Sequence, residues 1–346
     1  FSNAGLNKYF MIFKKMLKFL KIIIFIFVST PLYAANINNF NLWLNDFKVQ
    51  AKKEGISQET ISVTLDNSIY LPKVIEYDRF QPEFYEDTKT YINKRVTKLK
   101  IKRGLALKKK DLNLLDEIEN KFEVEKELLI ALMGIETNFG KYLGKMDIIS
   151  SLATLSFDKR RSEFFSNELM TLLKLVDKKI IDHKILFGSW AGAFGNFQFM
   201  PSTIKNYAID YDKNNIIELK KKIDSYASAA NYINKIGWKK NEPCFYKVEL
   251  TDDIPKFLLN TSAKKIENKT KVANLKKYIK GINTDNLDDE LYAGIITPDK
   301  DIVPNSKNLS PAYLVFNNYE LILKWNRSLR FALAVCSLKE NLKNEI

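Results

Sequence analysis

Six residues without a polar break, Leu128 to Met133, constrain this chain more than any other segment. Charge stops at Glu127 and does not return until Glu136. A helix that is apolar all round is a buried helix, so this run predicts a core helix. Gly134 and Gly140 bracket its expected end, where glycine is favoured. Glu136 then falls in the last turn. Burial disfavours the charged form of a carboxylate there, and so does the negative end of the helix dipole. Both effects raise the expected pKa, and a carboxyl that keeps its proton near neutral pH can protonate a glycosidic oxygen. The plain alternative is a helix-end glutamate paired with a lysine. The context of a second segment weighs against it.

That segment runs from Gly188 to Ser202 and packs small residues, aromatics and one Gln into a bend. Gln198 lies between Phe197 and Phe199, where a buried amide needs a partner. One carboxylic acid facing a sugar-shaped groove is the joint implication. Composition removes the main rivals. The chain has one His, His183, in a polar stretch, and two Cys, Cys244 and Cys336. A Ser-His-Asp or Cys-His system would have to use that histidine, and a Cys/His zinc site needs more ligands. No GxGxxG or GxxxxGK[ST] segment occurs, so nucleotide-dependent chemistry is unsupported.

Residues 1–35 read as an export signal. Lys14, Lys15, Lys18 and Lys21 precede a short apolar core, Ile22 to Val28, and Pro31 to Ala35 resembles a cleavage site. Met11 reads as the start, with residues 1–10 upstream of it. The apolar core is short for a membrane span, so an uncleaved signal is the only membrane attachment expected. No Cys follows the core, so no lipid anchor is expected, and the predicted location is the periplasm. Export leaves open whether Cys244 and Cys336 pair or stay as two buried thiols. The net charge is +14, of which five lysines in residues 1–35 supply 5. The remaining +9 suits a polyanion or a solvated lysine surface in a Lys-, Asn- and Ile-rich chain. Nucleic acid is disfavoured by the export signal and by the lack of a recognised motif.

The expected fold class is mainly α, in the α+β sense. Residues 36–111 and 317–346 read as an α-helical region and 112–240 as a helical catalytic core. Residues 241–316 read as a small β-rich module, with Phe245 to Leu250 alternating in the strand manner and Ala312 to Phe316 as its last strand.

Seven short pieces, in order, resemble the membrane-bound lytic transglycosylase B family of peptidoglycan-cleaving enzymes. They are Asp78 to Phe84, Tyr91 to Val96, Gly134 to Gly140, and Leu152 to Phe157 with Arg160-Arg161. Then come Gly188 to Ser202, Asn231-Tyr232, and Trp325 to Ser328 followed by Phe331 to Val335. The resemblance implies a lysozyme-like core and a lytic transglycosylase that cuts the β-1,4 bond between N-acetylmuramic acid and N-acetylglucosamine. The muramyl C6 hydroxyl closes onto C1 and leaves a 1,6-anhydro end. Glu136 matches the single acid/base. Ser189, Gln198, Tyr232 and Asn326 match groove-lining positions, and Tyr91, Arg160 and Arg161 match others whose roles are less defined. Packing for Tyr232, a turn role for Ser189 and ion pairing for the arginines stay open as plainer readings. A hydrolytic muramidase and a non-catalytic glycan-binding protein are the alternatives on the same fold. Glycan strands are the expected partner, and a monomer is expected.

Two departures stand out. Phe331 occupies a position where the family often has tyrosine. The loop Asp210 to Ile216 has oxygen ligands at alternate positions, as an EF-hand loop does, but Asn215 takes the usual glycine place and Lys221 the usual glutamate place. The resemblance puts the closing acid at Asp224. No cofactor is required. A structural Ca2+ held by Asp210, Asp212, Asn214, the Ile216 carbonyl and Asp224 is one expectation, and sodium or a metal-free turn are the others.

Overall fold

The computed structural model describes residues 36–80, 86–299 and 309–344. The export-signal expectation for 1–35 and part of the Asp78–Phe84 piece lie outside them. The N-terminal helices are α1 (36–53), α2 (Gln58–Val63), α3 (Pro72–Arg79), α4 (Thr88–Arg95) and α5 (Lys98–Lys110). Short polar residues start three of them. The side chains of Ser57, Asp87 and Thr97 each accept a backbone N–H three residues on.

Next come α6 (Leu112–Phe122), α7 (Lys126–Thr137), α8 (Ile148–Phe157), α9 (Ser162–Asp177), α10 (Pro201–Tyr207) and α11 (Lys222–Lys235). A two-stranded ribbon, β1 (Met146–Asp147) with β2 (Phe187–Gly188), lies among them. The apolar run predicted to be a core helix is α7. Every residue from Leu128 to Gly134 in it is buried. It packs against α5, α6 and α11 and against the last helix of the chain.

The β module holds β3 (Phe245–Leu250), β4 (Leu259–Asn260), β5 (Thr270–Lys271), a one-turn helix α12 (Val272–Leu275), β6 (Ile279–Lys280), β7 (Tyr292–Ile296) and β8 (Ala312–Val315). The sheet order is β4-β7-β8-β3-β6, with β5 on β7, and only the β4–β7 pair is parallel. Strand periodicity of two sends alternate side chains to opposite faces. Ala312 and Leu314 of β8 join the module's own apolar cluster, while Tyr313 and Val315 join the main core. The sheet is thus a plate covered on both faces, one of them by the helical body.

Two helices close the chain, α13 (Asn317–Trp325) and α14 (Leu329–Asn344). α14 packs on α7, α4, α5 and α13 and is buried along most of its length. The question left open for the cysteines is settled. Cys244, just before β3, forms a disulfide with Cys336 of α14 and ties the sheet to the helical body.

Candidate active site

The last turn of α7 is where the core helix meets the surface. Leu128 to Gly134 are buried, but Ile135 and Glu136 are only half-buried. The helix ends at Thr137, and its cap is Asn138, in the left-handed region at φ 50°, rather than a glycine. Phe139 (φ 63°) and Gly140 (φ 78°) continue in that region. Asparagine tolerates such a backbone through its short polar side chain. Gly140 is needed for a second reason, since a Cβ there would sit 2.8 Å from Asn196 Oδ1. Thr137 locks this end to the second segment by donating its hydroxyl to the Asn196 carbonyl at 2.8 Å.

The second segment is a tight, internally bonded bend. Phe194 and Phe199 exchange two backbone hydrogen bonds of 2.9 Å. The chain turns between them through Gly195 (φ 78°) and Gln198 (φ 52°). Asn196 is buried, and its Nδ2 donates to the Lys220 carbonyl and the Ser225 hydroxyl. Ser189 accepts backbone N–H groups from Ala191 (3.3 Å) and Ala193 (2.9 Å), so its hydroxyl organises the turn. Gln198 is half-buried and donates to the Gly195 carbonyl at 2.9 Å.

An aromatic stack supplies the wall. Tyr232 lies between Tyr207 and Trp325, with ring centroids 4.3 and 5.0 Å away and planes within 22° of parallel. Phe199 and Phe197 meet Trp325 edge to face at 5.3 and 6.2 Å. Edge-to-face and offset contacts are the preferred aromatic geometries. Trp325 Nε1 then donates to Glu136 Oε1 at 2.9 Å. The carboxylate is therefore bonded to a rigid, multiply packed ring. Tyr232 itself donates its hydroxyl to the Lys324 carbonyl at 3.2 Å, and burial pushes that phenol up to about 12. Asn326 follows Trp325 directly and caps α13 with its backbone N–H.

The remaining candidates gather elsewhere. Arg160 donates from Nε to Asp78 Oδ2 at 2.7 Å and from Nη2 to the Asp78 carbonyl at 2.8 Å. Arg161 approaches the same carboxylate at 3.6 Å and lies over the rings of Phe164 and Phe165. Tyr91 is buried beneath the Arg95 guanidinium, 3.5 Å from its ring centroid.

Sequence reasoning did not single out two further residues. Trp325 was one member of a matched segment whose weight fell on Asn326. Lys100 of α5 donates from Nζ to the Gly134 carbonyl at 3.0 Å, on the turn that carries Glu136. A cation there complements the negative helix end. Burial first, and then the like charges of Arg95 and Arg103, lower the pKa of Lys100.

In the acidic loop, carboxylate oxygens of Asp210, Asp212 and Asp224 lie within 4.8 Å of one another. Asp224 is fully buried and accepts the N–H groups of Tyr211 (2.8 Å) and Glu218 (2.9 Å). Asp210 accepts those of Asn214 and Asn215, and Asn214 Oδ1 accepts that of Ile216. Lys213 and Asn215 both have positive φ. Asn215 thus adopts the backbone for which glycine is usual. Lys221 pairs with Glu218, leaving Asp224 to face the loop.

Comparison with known proteins bears on the family and the fold. The transglycosylase SLT domain family matches residues 39–340. The membrane-bound lytic murein transglycosylase B of Escherichia coli is 37% identical over 153 residues. That match spans 44% of this chain and 42% of the relative, less than half of either. SltB3 from Pseudomonas aeruginosa, solved with NAG-anhNAM-pentapeptide, superposes with a TM-score of 0.79 at 29% identity, over 88% of this chain and 80% of that one. Escherichia coli Slt35, solved with calcium, superposes with a TM-score of 0.70 at 24% identity, over 89% of this chain and 93% of that one. With a family match across most of its length and a fold shared with these structures, the chain belongs to the transglycosylase SLT domain family.

Proposed function

We propose that this protein is an exported lytic transglycosylase that cleaves peptidoglycan between N-acetylmuramic acid and N-acetylglucosamine, with Glu136 as its one acid and base. The observation that carries the reading is the Trp325–Glu136 hydrogen bond. It fixes a half-buried carboxyl against an aromatic wall, with Oε1 held by the indole N–H. A general acid must sit within hydrogen-bond reach of the leaving oxygen. A sugar ring lying on such a wall covers apolar surface and presents its glycosidic oxygen at the edge.

The steps follow from that placement. Glu136 gives its proton to the glycosidic oxygen as the C1–O bond breaks. The substrate's acetamido group supports the cationic C1. Glu136, now a carboxylate, takes the proton of the C6 hydroxyl as the new C6–O–C1 bond forms. One carboxyl thus serves both half-reactions, and the proton balance closes. Gln198 and Asn326 supply amides for sugar hydroxyls and acetamido groups. Tyr232 and Ser189 act by holding the wall and the turn. Arg160 and Arg161, ion-paired on Asp78, and Tyr91 under Arg95 border the substrate path. Lys100 steadies the turn that bears Glu136.

The disulfide supports export, since such bonds persist in oxidising compartments. No described helix is long and apolar enough to cross a membrane. The separate apolar cluster of the sheet supports a 241–316 module. The cuts at 111 and 316 within the helical body belong to the same reading. The acidic loop fits a calcium ion in donor type. Three carboxylates converge, and the Asn214 amide and Ile216 carbonyl would complete an all-oxygen set. Bound there, calcium would tie the loop to the start of α11 and take no part in bond cleavage.

Digestion of purified sacculi tests the assignment. The parent should release muropeptides while Glu136→Gln releases almost none. Comparable release by both would remove Glu136 from its role.

A further inference from the structure

Helix α5 carries seven cations and no acid among its 13 residues. The inner cations are used by the fold. Lys100 caps α7, and Lys108 pairs with Glu127 and donates to the Leu342 carbonyl. The inner face sits tight against the body, where a Cβ on Gly104 would come within 2.7 Å of Leu342. The outer face is different. Lys98, Lys102, Arg103, Lys109 and Lys110 are all exposed, and none of the five forms a salt bridge among the described residues. At 3.6 residues per turn, Lys98, Lys109 and Lys102 fall within about 40° of one another, and Lys110 and Arg103 follow about 100° further round. Ala106 and Leu99 lie between the two rows, and Leu99 is 56% exposed. The result is a rod about 20 Å long with an apolar centre line and a row of cations on each side.

Such a face has unmet electrostatic demand. A solvated helix surface normally mixes both signs, with acids four residues from lysines. Here like charges stand next to one another, and Lys100 beneath them feels Arg95 and Arg103. A glycan or nucleic-acid strand would be gripped by aromatic rings between the cations, and the outer face of α5 has none. An anionic lipid surface asks for what is present: cations that reach headgroups on flexible stems, flanking a few apolar groups that enter the interface.

We propose that the outer face of α5 docks the protein on membranes rich in anionic phospholipid, placing α7 and its glutamate at a fixed distance from the bilayer. The attachment is peripheral and electrostatic. Each cation near an anionic leaflet contributes about a fivefold factor in affinity, and the attraction fades as salt shortens the Debye length.

The test is co-sedimentation of residues 36–346 with vesicles of phosphatidylglycerol and phosphatidylcholine, against phosphatidylcholine alone. A second protein carries Lys98→Gln, Lys102→Gln, Arg103→Gln, Lys109→Gln and Lys110→Gln. Glutamine keeps helix propensity, and an unchanged melting temperature together with unchanged sacculus digestion verifies its fold. The parent should bind the anionic vesicles, release as salt rises from about 0.1 M to about 1 M and the Debye length shrinks from about 10 Å to about 3 Å, and ignore the neutral ones. The five-site variant, losing about fivefold at each of five cations, should bind on the order of 1,000-fold more weakly. Equal binding to both vesicle types, or equal binding by both proteins, would overturn the proposal. So would a variant that loses affinity for sacculi while keeping it for vesicles, which would give the face to an anionic wall polymer instead.

Discussion

Glu136 and Asp224 are both helix-end carboxylates, and the fold treats them in opposite ways. Glu136 stands in the last turn of α7, at the negative end of the dipole, half-buried, accepting a hydrogen bond from the Trp325 indole N–H. Asp224 stands in the first turn of α11, at the positive end, fully buried, accepting two backbone N–H groups. Helix polarity welcomes negative charge at the second place and opposes it at the first. The same functional group is a structural anchor at Asp224, where backbone donors converge, and in our proposal the proton-exchange group at Glu136. The difference lies in position along a helix and in neighbours, and residue type alone does not reveal it.

Substitution at the two acids should therefore separate activity from stability. Glu136→Gln keeps the shape and the acceptor for Trp325 but cannot exchange a proton. Cleavage should fall by about 10²–10⁴-fold with little change in melting temperature. A variant that unfolds instead would make Glu136 an anchor like Asp224 and break the contrast. Asp224→Ala strands two backbone N–H groups, each costing about 1–3 kcal/mol when left buried without a partner. At roughly 2 °C per kcal/mol for a chain longer than about 250 residues, melting should drop by roughly 4–12 °C, while activity per folded molecule stays near the parent's.

Trp325→Phe keeps most of the ring packing and removes the N–H. One hydrogen bond to the acid is worth about 1–1.5 kcal/mol, so kcat should fall about tenfold with KM nearly unchanged. An unchanged kcat would show that the wall works by shape alone. A smaller effect is expected from pH. Tyr232 is pushed up to about 12 by burial and then by Tyr207, so the folded state holds its proton more tightly than the unfolded chain, whose phenol titrates near about 10. That contribution is complete below about pH 10 and is lost as pH rises through 12. Tyr232→Phe should flatten the loss of thermal stability across this window, and a slope identical to the parent's would place the sensitivity elsewhere. Calcium should give the smallest change. The loop's carboxylates already accept backbone N–H groups, so added Ca2+ should raise melting by only a few degrees, since stabilisation grows with the logarithm of ligand over Kd. Asp210→Ala should abolish the shift, and a rise of about 10 °C would reveal a tight site.

Much of this was legible in the sequence because it depends on local pattern. The buried run ahead of Glu136, the alternation of Phe245 to Leu250 and the final helix all follow from periodicity, and the structure places α7, β3 and α14 there. The flanking phenylalanines singled out Gln198, and the family resemblance, not the loop spacing, put the closing acid at Asp224. Long-range contacts were not legible. Trp325 reaches Glu136 across 189 positions, and Lys100 reaches the Gly134 carbonyl across 34. No local rule links such pairs. The cysteines were equally silent, since only the approach of α14 to the start of β3 brings Cys336 to Cys244. Ser189 and the arginines show another limit, because supporting a groove and lining it call for the same residue types.

The central claim is that one acid suffices because the substrate supplies its own nucleophile. An intramolecular hydroxyl gains an effective concentration up to about 10⁵ M or more when well placed, against roughly 55 M for water. Mass spectrometry of muropeptides released from sacculi by residues 36–346 reads the outcome directly. The account predicts that muramic ends are 1,6-anhydro, one water lighter than the hydrolytic product, and that added nucleophiles leave them unchanged. Reducing muramic ends as the dominant product would contradict it and make the protein a hydrolytic muramidase.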